Sequence, residues 1–239
     1  MPETNPDDAN VDACIETRLA RHRRGSILLV VILLLLQVGC SAARRTPYFV
    51  VLGTGQDAGV PQAGAFDHPG WTNPGLRRAA TCLALVDPRT GRQWLFEATP
   101  DFRMQHRLLH DITGASRLDG IFLTHAHIGH YTGLMFLGHE SMGAKGVPVY
   151  AMPRMRSFLE TNGPWSQLVR YDNIDLRPVE DGVTLDGPDV MRVEPLVVPH
   201  RQEFSEVVGY RIEVEGLRLL FLPDIDSWAE WDDAGTRIE

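Results

Sequence analysis

The chain has 239 residues, 44% of them hydrophobic, and a formal net charge of −8. That length supports one domain with a substantial core after a leader is removed. The charge excludes a general attraction to nucleic acid or anionic membranes, and no basic stripe with interleaved aromatics appears.

Residues 1–39 read as an N-terminal extension and signal peptide. Arg18, Arg21, Arg23 and Arg24 form a positive region, and Ile27 to Leu36 is an unbroken apolar run. As a helix the run would be about 15 Å long, too short for a bilayer core of roughly 30 Å. Small residues then precede Cys40, a pattern that resembles a bacterial lipobox. The expectation is export to the bacterial cell envelope, with membrane attachment through a lipidated Cys40; the alternative is a signal anchor. Residues 40–46 form the tether and residues 47–239 the folded domain. With Cys14 removed and Cys40 lipidated, Cys82 is a lone cysteine, read as a buried packing residue.

Tyr48 to Leu52 reads as the first core strand. Gly53 to Arg78 is a long Gly- and Pro-rich loop, of the kind that often carries function. It contains Asp57 and His68, each either a turn residue or a group able to reach a site. Thr81 to Val86 and Gln93 to Glu97 flank a Pro/Gly turn and form a hairpin. Thr99 and Pro100 predict a helix start, with the helix running to about Ile112 and Gly114 ending it. His106 and His110 lie four apart on its solvated face.

An apolar strand, Ile121 to Leu123, then leads into Thr124-His125-Ala126-His127-Ile128-Gly129-His130. In an extended segment residues two apart face the same way, so His125 and His127 can face one ion. His130 follows as the chain turns into a helix and could reach the pocket from another side. Neutral imidazole is the commonest protein ligand for a divalent transition metal. Further strands are predicted at Val147–Ala151, Ile174–Pro178, Met191–Val198, Val207–Val214 and Leu217–Leu222, with helices at Pro153–Thr161 and from Pro164. His139 is placed at an exposed helix end. His200 and Asp224 each follow an apolar strand and a proline, where a rigid scaffold presents ligands.

The histidine stretch resembles the His-x-His-x-Asp-His motif of the metallo-β-lactamase-fold hydrolases. The segments Val51 to Gln62, Pro148 to Pro153 and Val198 to His200 resemble the branch of coenzyme PQQ biosynthesis protein B. Gly129 stands where the family usually has Asp. The resemblance implies an α/β, four-layer αββα sandwich with the metal at one edge between its sheets. It implies His125, His127 and His200 as ligands of one ion, Zn²⁺ most simply, with Fe or Mn as alternatives. Asp224 would be the later acid ligand, with His130 beside it and Asp226 as a competitor. Asp57 is the one candidate to compensate for Gly129.

Metal-assisted hydrolysis of an ester, lactone, amide or phosphoester in a small-molecule substrate is the expected chemistry, with Asp224 and His130 in catalytic roles. Such an ion lowers the pKa of water from about 15.7 to about 7. Two other readings stand beside it: a non-catalytic metal-binding accessory protein related to PQQ biosynthesis protein B, and an inactive truncated relic. Fifteen residues follow Asp224, and the family's final metal-binding His has no counterpart. The domain is therefore expected to be C-terminally shortened, with an unpaired sheet edge.

Overall fold

Two β-sheets stacked face to face carry the architecture of the computed structural model, which describes residues 46–188, 190–232 and 234–238. The predicted leader, its apolar run and Cys40 lie outside the described residues. Among the described residues, no helix is long and apolar enough to cross a membrane.

The first sheet has the order β1-β2-β3-β4-β5-β6. Its strands are Tyr48–Gly53, Cys82–Asp87, Arg92–Phe96, Gly120–Phe122, Val147–Ala151 and Ile174–Pro178. The first three pair antiparallel, and β3 through β6 pair parallel. The second sheet is antiparallel in the order β10-β9-β8-β7, with β7 Val183–Leu185, β8 Met191–Val197, β9 Val208–Val214 and β10 Leu217–Phe221.

Side-chain alternation builds two cores from one sheet. On one face of the first sheet, Cys82, Ala84, Leu95, Ile121 and Val149 pack beneath the helices. These are α1 Phe102–Thr113, α2 Ile128–Tyr131, α3 Pro153–Thr161 and α4 Trp165–Arg170. On the other face, Leu83, Leu85, Trp94, Phe96, Phe122 and Tyr150 meet Met191, Val193, Tyr210 and Ile212 of the second sheet. A short last helix, α5 Ala234–Ile238, touches the outer side of that second sheet, where Arg211 Nη1 donates to the Arg237 carbonyl. The expected αββα layering is present; among the described residues its fourth layer is represented by this helix.

Most predicted elements fall within a residue or two of their observed bounds. Cys82 is buried and free, as expected. Two details differ. The helix α1 starts later than the Thr99-Pro100 signal suggested. Thr99 Oγ1 accepts from the Asp101 amide and donates to Gln105 Oε1, so it closes a turn ahead of the helix. Asp101 holds the N-cap position without capping it; its carboxylate accepts from the Ala80 amide at 2.8 Å. The strand β7 was not predicted, because three residues carry too little periodicity to register.

The two sheets are pinned together at one end. Tyr210 Oη donates to the Leu123 carbonyl at 2.6 Å, and the Val208 amide donates to Thr124 O at 3.2 Å. The chain leaves β4 at this seam and enters the histidine stretch.

Candidate metal centre

His125 and His127 sit on the segment leaving β4, His200 follows β8, and Asp224 follows β10. Both sheets therefore contribute. The two later loops are joined by the Asp226 amide, which donates to the Pro199 carbonyl at 2.9 Å. Ser205 Oγ accepts from the Ala126 amide at 2.9 Å and fixes the bend between the first two histidines.

Four side chains converge. His125 Nε2 lies 3.0 Å from His127 Nδ1, and His200 Nε2 lies 3.2 Å from that same nitrogen. Asp224 Oδ2 lies 3.4 Å from His125 Nε2 and 3.5 Å from His200 Nε2. The outward nitrogen of each imidazole meets an oxygen. His125 Nδ1 lies 2.9 Å from Thr124 Oγ1, His127 Nε2 lies 2.9 Å from Glu203 Oε2, and His200 Nδ1 lies 2.7 Å from Asp226 Oδ1. Such partners set the ring orientation, and with the outward nitrogens carrying the protons the inward ones turn lone pairs to the centre. Lone pairs aimed at one another repel unless a cation lies among them. Four donors at the usual zinc distances would stand about 3.3–3.4 Å apart along tetrahedral edges. The donor set and its spacing fit a divalent transition metal.

His130 does not join this set. It opens the helical turn beside it and is only 2% exposed. Its Nδ1 lies 2.7 Å from Glu97 Oε2, and its Nε2 lies 3.2 Å from Asp224 Oδ2; both are ion-pair distances without hydrogen-bond alignment. Asp57, His130 and Asp224 form a second group whose donor atoms all lie within 4.8 Å of one another. Asp224 is common to both groups.

The electrostatics follow from burial and contact. Burial pushes the His125 imidazole down, against its contact with Asp224. Burial would also lower His130, but the Glu97 charge and the contacts with Asp224 and Glu97 outweigh it and raise the group to about 10. Burial would raise the Asp224 carboxyl, yet its close contacts with the His125 and His130 imidazoles, and their charge, hold it well below the ordinary carboxylate range.

The remaining candidates resolve by position. Asp226 is not the converging acid: it reaches the outward nitrogen of His200. His68 caps a 3₁₀ turn, its Nδ1 accepting from the Gly70 amide at 3.0 Å. His106 and His110 contact the carbonyls of Ser116 and Ala115, fastening the end of α1 to the loop after it. His139 packs against the Tyr171 ring. Glu97 and Glu203 went unread in the sequence. Glu97 closes a strand and Glu203 lies in a polar loop, and neither has a local signal. The one structural mark is the backbone of Glu97, a buried non-glycine residue at φ 85°.

The sequence model of the beta-lactamase superfamily domain matches residues 92–239. Ribonuclease Z of Bacillus thuringiensis (strain Al Hakam) is 32% identical over 182 residues, covering 72% of this chain and 52% of that protein. The chain thus spans about half the length of the curated relatives it matches. Among solved structures, zinc-bound PqqB from Methylobacterium extorquens superposes with a TM-score of 0.60 at 22% identity, over 74% of this chain and 65% of that one. A diphosphatase of the PhnP family superposes at 0.52 with 26% identity, over 70% and 61%. Fold, helix–sheet layering and the matched family model agree, and the chain belongs to the beta-lactamase superfamily, with the metallo-β-lactamase fold.

Proposed function

We propose that this chain is a metal-dependent hydrolase acting on a small phosphodiester. The observation that carries the reading is the convergence of His125, His127, His200 and Asp224, with the outward nitrogen of each of the three histidines held by an oxygen. His125, His127 and His200 would hold a divalent cation. When bound, such an ion supplies Lewis-acid activation of water near neutral pH.

The chain's own groups do the rest. Asp224 Oδ2 faces the histidine nitrogens and would orient a water there through its carboxylate charge. Glu203, Asp226 and Thr124 keep the imidazoles aimed. The His127 side chain is 24% exposed, against 10% for Asp224, 6% for His200 and 1% for His125, so substrate would approach from the His127 side. Exposed Ile128 and Phe204 flank His127 and its partner Glu203 in the chain, offering apolar surface beside a polar centre. A phosphoester is favoured within the superfamily by the similarity to a ribonuclease and a diphosphatase. The net charge of −8 disfavours a long polyanion and favours a small substrate.

The test is metal content together with turnover of bis(p-nitrophenyl) phosphate, for the wild type and a His125→Ala/His127→Ala variant. We expect bound metal and turnover in the wild type and loss of both in the variant. A folded wild type that binds no Zn²⁺, Mn²⁺ or Fe²⁺ sinks the reading. Stoichiometric metal without turnover on a broad ester panel would favour the accessory-protein alternative.

A further inference from the structure

We infer that Asp57, from the β1–β2 loop, supplies the carboxylate that Gly129 lacks and so completes, with His130 and Asp224, the second divalent-cation position that the fold family implies. The inference rests on the metal centre proposed above and extends it by one site. Each of the three residues offers a donor atom within 4.8 Å of the others.

Two observations point independently to a ligand there. The first is His130 itself. It is almost wholly buried, its Nδ1 is turned to Glu97, and its Nε2 points into the group with no aligned hydrogen-bond partner. A buried imidazole nitrogen left unaligned carries a desolvation cost that a cation would remove. The second is the space at Gly129. A Cβ built there would come within 2.8 Å of the Asp57 carbonyl oxygen and 2.9 Å of the Asp57 Cα and carbonyl carbon. These are backbone atoms and cannot swing aside. The backbone of Asp57 occupies the room that any side chain at position 129 would need.

The glycine at 129 and the position of Asp57 are therefore one arrangement. Removing the side chain at 129 lets the loop close on α2, and closure brings a carboxylate to the same group. The loop is held in that place. The Gly55 amide donates to Ala79 O at 2.7 Å, the Val60 and Arg78 backbones exchange hydrogen bonds, and Gln62 Nε2 donates to Gln56 O at 2.9 Å. Asp57 takes φ 47°, a left-handed conformation that Asp and Asn tolerate better than most residues. Two carboxylates and one imidazole make a harder donor set than the three-histidine group. That set suits Mn²⁺ or Fe²⁺ as well as Zn²⁺.

The experiment is Mn²⁺ and Zn²⁺ titration of the metal-stripped chain by calorimetry and elemental analysis, with electron paramagnetic resonance of the Mn²⁺ form. Wild type is compared with Asp57→Asn and Asp57→Glu. Asn fits both the space and the left-handed backbone, so the fold is retained, and circular dichroism checks this. The expected result is two ions per chain with an exchange-coupled Mn²⁺ signal in the wild type. Asp57→Asn should hold one ion with an isolated six-line signal, and Asp57→Glu should recover part of the second binding step. A wild type that binds a single ion, or an Asn variant that keeps two coupled ions, overturns the inference and leaves the hydrolase reading standing. A wild type that binds none overturns both.

Discussion

Glu97 ties the backbone leaving β4 to the buried His130. One carboxylate oxygen accepts from the Thr124 amide at 3.0 Å and the other meets His130 Nδ1, so a single side chain sets the exit of β4 and the ring of His130. Its backbone at φ 85° costs about 1–3 kcal/mol, which the surrounding contacts must offset. Glu97→Gln keeps the shape and the Thr124 contact but removes the charge. We expect metal affinity to fall about 10–100-fold, read by competition with a chelator, and metal-free stability to fall by about 1–3 kcal/mol, read by urea denaturation. Unchanged affinity would show that His130 needs no such partner. At this scale local spacing pointed to His125 and His127, and the resemblance to the metallo-β-lactamase-fold hydrolases singled out His200 and Asp224; the structure brings the donor atoms of all four together. Glu97 and Glu203 act across 27 and 76 residues, so no local pattern could reveal them.

Strand ends, more than strands, decide what this fold presents. The β2–β3 turn shows how they are fixed. Asp87 is buried, and its Oδ1 accepts both the Arg89 amide at 3.0 Å and Arg89 Nε at 2.9 Å. Burial alone would raise the Asp87 carboxyl, but the Arg89 hydrogen bonds and charge bring it below its ordinary value. A carboxyl depressed in the folded state adds stability that is present above its unfolded pKa of about 3.9 and is lost as pH falls through the folded value. Asp87→Asn should therefore cost about 1 kcal/mol at pH 7 and progressively less below about pH 4. Denaturation of both proteins at pH 7 and pH 3 checks this, and a gap that widens in acid would contradict it. Helices and strands were legible because apolar residues alternate at the right period over enough positions. The cap of α1 was misplaced because Thr99 satisfies both a capping pattern and a turn, and only the contact with Gln105 decides between them.

The molecule as a whole is two sheets that share one seam. His125 and His127 come from the first sheet, His200 and Asp224 from the second, so a cation bound by them crosslinks the layers. Ligand that binds only the folded state stabilises it by about 2.7 kcal/mol at one hundred times its Kd. For a domain of this size that corresponds to a rise in Tm of about 5–10 °C. Calorimetry with Zn²⁺ against a chelator should show the rise, and the His125→Ala/His127→Ala variant should not show it. The layering was legible from strands, helices and strands in succession. The pairing of loops across the seam was not, because the separation of 87 positions from Leu123 to Tyr210 leaves their contact open until the sheets pack.

The first sheet is also contiguous in the chain, complete at Pro178 before any strand of the second begins. A ribosome delivers it whole, with its two histidines already at the end of β4, while the residues that complete the cluster are still unmade. The histidine pair must therefore wait through the translation of β7 to β10 before His200 and Asp224 arrive. A nascent chain halted before β10 lacks the acid shared by both candidate ligand groups.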